Sequence, residues 1–158
     1  LVKLIPLLVA RGLRIATLKH AHHAFDVDTP GKDSYEHRKA GAGEVIISSA
    51  RRWVQMHELG DEPEATLAQL LSRVSPCDLV LVEGFKSEAH PKLEVWRPVV
   101  GKPALYPQDP RVLAVASDAP PAPDAPRWVD LGDLDAVAEA VLSLAAPRAA
   151  VLEQLVAR

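Results

Sequence analysis

Two short aliphatic runs constrain this chain more than any other feature: Leu79-Val80-Leu81-Val82 and Val112-Leu113-Ala114-Val115-Ala116. Neither alternates with polar residues. A strand that reads this way is buried on both faces, as in a parallel sheet covered by helices. Segments with helical spacing surround them. Leu1, Leu4, Ile5 and Leu8 precede Gly12, while Leu67, Leu70, Leu71 and Val74 share one face, as do Leu134, Val137, Val141 and Leu144. Strands alternating with helices give an α/β domain with a mostly parallel sheet and helices on both faces. At 158 residues and 48% hydrophobic, the chain has the length and apolar content for one such core. We expect one domain over residues 1–146 and a short helical tail over 147–158, beyond the break at Pro147.

The remaining segments fill in between. Residues 1–11 read as a helix and 13–18 as a strand. Pro30-Gly31 marks a turn, and Ser34 is placed to cap a short helix through Ala40 that Gly41 and Gly43 end. Residues 44–48 and 52–57 read as a hairpin, and Asp61 is the expected start of the next helix. Leu93 to Arg97 alternates, with Leu93 and Val95 assigned to one face. Pro120, Pro121, Pro123 and Pro126 force a loop before a short edge strand near Trp128.

Charge and cysteine usage narrow the partners. The net charge of −3 lacks the basic footprint of a nucleic-acid binder. No apolar run is long enough to span a membrane, and no signal peptide is expected. The lone Cys77 fits a reducing, cytoplasmic compartment, where a small buried filler is its expected role. Leu1 opens inside an apolar pattern with no cap in front, so we expect the native beginning to lie upstream.

Residues 19–38 concentrate the chemistry. His20, His22, His23 and His37 sit there with Asp26, Asp28, Asp33, Lys32 and Arg38. Asp26-Val27-Asp28 puts two carboxylates on one side of an extended segment, able to hold Mg²⁺ or orient a water. A solvated turn with balanced charges explains them equally well. His20, His22 and His23 offer imidazoles, but no cysteine pair supports structural zinc. Sites in α/β sheets lie past the carboxyl ends of strands. Three strand ends carry polar groups: Lys19-His20, Glu83-Gly84 and Ser117-Asp118. A carboxylate at Asp118 can accept from both guanine N1–H and its exocyclic amine, although a turn cap is the simpler reading.

Taken together, the segments resemble the molybdopterin-guanine dinucleotide biosynthesis adaptor (protein B) family. The resemblance rests on Lys-His at 19–20, His-His at 22–23, Asp-Val-Asp at 26–28 and Pro-Gly-Lys-Asp-Ser-Tyr at 30–35. It continues with Arg-Lys-Ala-Gly-Ala at 38–42, Leu-Val-Glu-Gly-Phe-Lys at 81–86 and Val-Ala-Ser-Asp at 115–118. It implies a P-loop NTPase-like fold that binds GTP with Mg²⁺, hydrolyses it slowly at most, and acts mainly as an accessory protein. It also implies a homodimer that assists molybdopterin guanylyltransferase, protein A of the pathway, with molybdopterin itself a further ligand. Carried over by position, Asp26 and Asp28 would act near the γ-phosphate. Glu83 and Gly84 would form the Mg²⁺ and γ-phosphate end, with Asp28 a second metal ligand and Lys19 and Lys32 cations for the nucleotide.

One departure is large. The family's first strand and its G-x-x-x-x-G-K-[ST] phosphate loop have no counterpart in this sequence, since Gly31-Lys32 is followed by Asp33. We therefore expect weak GTP binding and a strand near Leu79–Val82 without one of its neighbours. A P-loop kinase acting on a small molecule and a histidine-cluster metallochaperone remain alternative readings.

Overall fold

The structure is a computed structural model that describes residues 1–21 and 25–157. Among the described residues, seven strands and five α-helices follow in the order helix, strand, helix, two strands, helix, four strands and two helices. They divide into two compact units, one of residues 1–20 with 67–158 and one of residues 21–66.

In the first unit, helix α1 (Leu4–Ala10) buries Leu4 and Leu8. It ends in a Schellman-type closure: Gly12, with φ 85°, donates to Val9, and Leu13 donates to Leu8. Strand β1 (Ile15–Lys19) runs parallel to β4 (Leu79–Glu83), with Ile15 opposite Leu79 and Lys19 opposite Glu83. Ion pairs pin both ends of this ladder. Arg14 grips Asp78 at the start, with Nε 3.1 Å from Oδ2, and Lys19 meets Glu83 at the finish, 3.3 Å apart. Helix α3 (Leu67–Arg73) begins later than expected. Residues 61–66 stay irregular, and Pro63 there cannot donate a helical N–H.

A second parallel sheet follows, in the order β5–β6–β7. It comprises β5 (Lys92–Val95), β6 (Val112–Ser117) and β7 (Arg127–Asp130). Ala114, Val115 and Ala116 are wholly buried, as their unalternating sequence predicts. β5 corrects its sequence reading. Val95 is exposed and Glu94 is the buried residue, its two oxygens accepting the backbone N–H groups of Leu105 and Tyr106 at 2.7 and 3.0 Å. A buried carboxylate is tolerated when such donors satisfy it.

Helix α4 (Leu134–Leu144) is capped by Asp133, which accepts from the Ala136 N–H, and it buries Val137, Ala138 and Ala140. These residues join Leu4, Leu8, Leu79, Leu81, Ala116 and Val129 in one core. The two parallel sheets thus share a hydrophobic centre without sharing a ladder: among the described residues, β4 pairs with β1 alone. Helix α5 (Arg148–Val156) is tied down by Arg148, whose Nη1 donates to the Val74 carbonyl at 2.8 Å. Cys77 is half-buried.

The second unit is built differently. Thr29-Pro30-Gly31-Lys32 forms a turn closed by Lys32 N–H to Thr29 O, with Gly31 at φ 80°. It leads into α2 (Asp33–Lys39). Ser34 lies inside that helix rather than capping it, and its hydroxyl donates to Asp28 instead. Strands β2 (Glu44–Ser48) and β3 (Trp53–His57) form the expected antiparallel hairpin. Met56 is the one buried hydrophobic residue among the described residues of the unit.

Candidate functional site

The carboxyl ends of β1 and β4 interlock. The His20 N–H donates to the Glu83 carbonyl at 2.9 Å, extending the ladder one residue past the strands. Gly84 follows at φ 91°, packed so closely that a side chain there would place its Cβ 2.7 Å from His20 Cβ. Phe85 is the sole non-glycine described residue with positive φ, at 51°. Such a conformation costs roughly 1–2 kcal/mol for a residue with a Cβ. The Phe85 ring stacks on the His20 imidazole with centroids 4.9 Å apart, a contact type worth roughly 0.5–1.5 kcal/mol, which offsets part of that strain. Glu83 and Lys19, both largely exposed, face each other at this rim. An exposed acid, a cation and a close-packed glycine therefore meet at the end of a parallel strand pair, where α/β proteins hold ligands.

Asp118 follows β6, where the sequence reading placed it, but its carboxylate is engaged. Arg97 Nε donates to Oδ2 at 2.7 Å. Reading guanine takes both carboxylate oxygens, so Arg97 competes with a base for this side chain.

In the second unit, Asp26 and Asp28 converge on Arg38, whose side chain is only 15% exposed. Arg38 Nη2 donates to both Asp26 oxygens at 2.9 Å, Nε approaches Asp28 at 3.4 Å, and Nη1 donates to Glu58 at 2.8 Å. Asp28, with its side chain 5% exposed, also accepts from the Thr29 N–H and the Ser34 hydroxyl. The Asp28 N–H, then Arg38, hold the Asp26 carboxyl below its ordinary range. Glu58 and Asp26 stabilise the guanidinium in return, raising its affinity for a proton. Tyr35 lies under both Arg38 and Lys39, at 5.5 and 5.4 Å from its ring centre. Asp26, Tyr35, Arg38, Lys39 and Glu58 line a cavity of about 210 Å³. The paired carboxylates thus form a charge staple, and a metal at Asp28 would have to displace Arg38 or Ser34. Lys32 is exposed just before α2. His37 lies exposed on that helix. His22 and His23 lie outside the described residues, and among those described no group of three or more His, Cys, Asp or Glu could hold a metal ion.

Two partnerships had no sequence signal. Nothing in Gly84-Phe85 announces that a phenylalanine adopts a left-handed backbone against His20. Asp109 is likewise unheralded: Arg111 and Lys92 hold its carboxyl far below the usual range.

The fold and sequence have known counterparts. The family model described as molybdopterin guanine dinucleotide synthesis protein B matches residues 1–118. A molybdopterin-guanine dinucleotide biosynthesis adapter protein of Escherichia coli (strain K12) is 48% identical over 143 residues, covering 89% of this chain and 81% of that protein. Its counterpart in Haemophilus influenzae is 45% identical over 119 residues, covering 75% of this chain and 66% of that protein. The crystal structure of a molybdopterin-guanine biosynthesis protein B superposes with a TM-score of 0.69 at 27% identity, covering 91% of this chain and 89% of that one. The Bacillus subtilis structure, at 22% identity and a TM-score of 0.58 over 88% of this chain and 86% of that one, shows the fold alone.

Proposed function

The chain belongs to the molybdopterin guanine dinucleotide synthesis protein B family, and from that premise we propose that it is an adapter in molybdopterin-guanine dinucleotide biosynthesis that takes GTP with Mg²⁺ at the β1–β4 rim. Family membership carries the role, and the rim geometry supports the ligand. Mg²⁺ takes one or two carboxylates and completes its shell with phosphate oxygens and water. A single half-exposed Glu83 fits that demand, and a bound Mg²⁺ there would neutralise phosphate charge. Lys19 adds a second positive charge, and Gly84, whose φ and close fit against His20 admit no side chain, sets the turn beside them. Asp118 reads guanine once Arg97 swings aside. Within residues 21–66, Asp26 and Asp28 are open to a ligand only if Arg38 releases them.

The partner is the enzyme that joins a guanylyl group to molybdopterin, and turnover of GTP by the chain itself is slow or nil. The chain works in the cytoplasm, where its single cysteine stays reduced. It acts as a homodimer. The hairpin supports this, because Ile46 and Trp53 stand on one face at 61% and 66% exposure and a two-stranded ribbon gains stability when such a face is covered.

The test is reconstitution of molybdopterin guanylyltransferase, molybdopterin and Mg-GTP with and without the chain. The yield of dinucleotide rises with the chain present and falls back with Glu83→Gln. A yield indifferent to the chain contradicts the reading.

A further inference from the structure

The interlock at the rim contains a strained residue that the ligand chemistry itself does not require. Phe85 adopts φ 51° directly after Gly84 at 91°. Two consecutive left-handed residues are rare where the second carries a side chain, and they persist only when their surroundings over-determine them. Three contacts do so here. His20 N–H donates to Glu83 O, the Gly84 backbone lies against the Cα and Cβ of His20, and the two rings stack. Beyond the strained pair, the Glu88 N–H closes a turn onto the Phe85 carbonyl at 3.1 Å. Every one of the first three contacts comes from a single residue on the neighbouring strand exit.

We propose that the His20–Phe85 stack is a positioning clamp that holds the Glu83–Glu88 turn in the one conformation that presents Glu83 and Gly84 to a magnesium-bound triphosphate. The ligand half of this statement rests on the function proposed above; the clamp half does not. His20 and Phe85 are positioning residues, acting on Glu83 and Gly84 through the backbone rather than on the nucleotide. The His20 ring packs on Phe85 at 4.9 Å, tilted by 33°, while its main chain supplies the hydrogen bond to Glu83.

The test compares wild type with His20→Ala, His20→Phe and Phe85→Gly in the 158-residue chain. Two readouts are taken: amide hydrogen exchange across residues 83–88, and affinity for Mg-GTP by calorimetry. His20→Ala accelerates exchange at the Glu88 amide by roughly tenfold and weakens Mg-GTP by a similar factor. Phe85→Gly does the same, since glycine tolerates the backbone angle but nothing fixes it. His20→Phe keeps both readouts near wild type. Unchanged exchange in His20→Ala overturns the clamp, as does a His20→Phe chain that behaves like His20→Ala. Faster exchange with unchanged affinity overturns its positioning role. If wild type itself binds no Mg-GTP, the proposed ligand fails, and exchange alone decides whether the stack holds the turn. Should His20→Ala not fold, His20→Phe and Phe85→Gly decide by the same criteria.

Discussion

The two units of this chain hold themselves together by different physics. Around α1, α4 and the parallel strands, Leu8, Ala114, Val115, Ala116, Ala138 and Ala140 are wholly buried. In residues 21–66 only Met56 is a buried hydrophobic residue among those described, and Arg38 with Asp26, Asp28 and Glu58 supplies the ties that a core supplies elsewhere. Salt and mild acid do not weaken hydrophobic burial, whereas they screen or neutralise charge ties. The first unit is therefore the rigid frame on which a site can be fixed. The second is a segment whose order depends on solution conditions.

Core truncation separates them most strongly. Leu8→Ala lowers unfolding free energy by about 3–5 kcal/mol, because packed neighbours on α1 and α4 cannot close the gap. Met56→Ala costs no more than about 2 kcal/mol, since an open hairpin collapses more readily. Urea denaturation of both variants checks the order, and equal losses break the contrast.

Gly84→Ala comes next, at about 2–4 kcal/mol, from a strained φ and the contact with His20 Cβ. Gly41→Ala, where no atom lies within 4 Å of the added Cβ, costs about 1 kcal/mol for its φ of 104°. The same denaturation series measures both.

Arg38→Ala strips three acids of their shared partner. Hydrogen exchange across residues 25–58 accelerates while the β1, β4 and β6 amides keep their protection, and 1 M salt reproduces part of the effect in wild type by screening. Uniform exchange throughout the chain would erase the distinction between the units.

The smallest effect is a pH signature within the first unit. Burial, with Lys92 and Arg111 nearby and Asp109 partly opposing them, pulls His90 down to about 4. His90 Nδ1 is buried without a hydrogen-bond partner among the described residues. The unfolded chain takes up that proton near pH 6.5, so the folded state loses stability as pH falls from there toward 4. His90→Gln flattens that portion of the stability profile. The lowered Asp26, by contrast, contributes stability above the ordinary carboxylate pKa that is lost only at more acid pH, as the pH falls toward its folded value.

Hydrophobic patterning made the frame legible. The unalternating Val112–Ala116 run announced a parallel strand that is buried except at Leu113, and the spacing of Leu134, Val137 and Val141 announced α4, because burial and periodicity leave direct marks in sequence. Glu94 escaped that reading, since a carboxylate looks exposed until its two backbone donors from residues 105 and 106 are known. Asp26 and Asp28 were visible as a pair, but their capture by Arg38 was not, because a side chain ten or twelve residues away can point anywhere. Lys19, Glu83 and Gly84 were found at strand ends. The register that sets Lys19 opposite Glu83, and the His20–Phe85 stack, belong to tertiary structure alone.

The open side of β4 sharpens the account in another direction. Among the described residues this aliphatic strand pairs on one side only, and an unpaired edge is a template for pairing. Light scattering should show association growing with concentration, and a reversible monomer at every concentration argues against it.

The most direct trial of the central claim is a titration of the isotopically labelled chain with Mg-GTP, followed by NMR. The account predicts shifts concentrated at residues 19–20 and 83–86, with smaller changes at Arg97 and Asp118. Shifts confined to the Arg38 cavity, or none at the β1–β4 rim when the nucleotide binds, would contradict it.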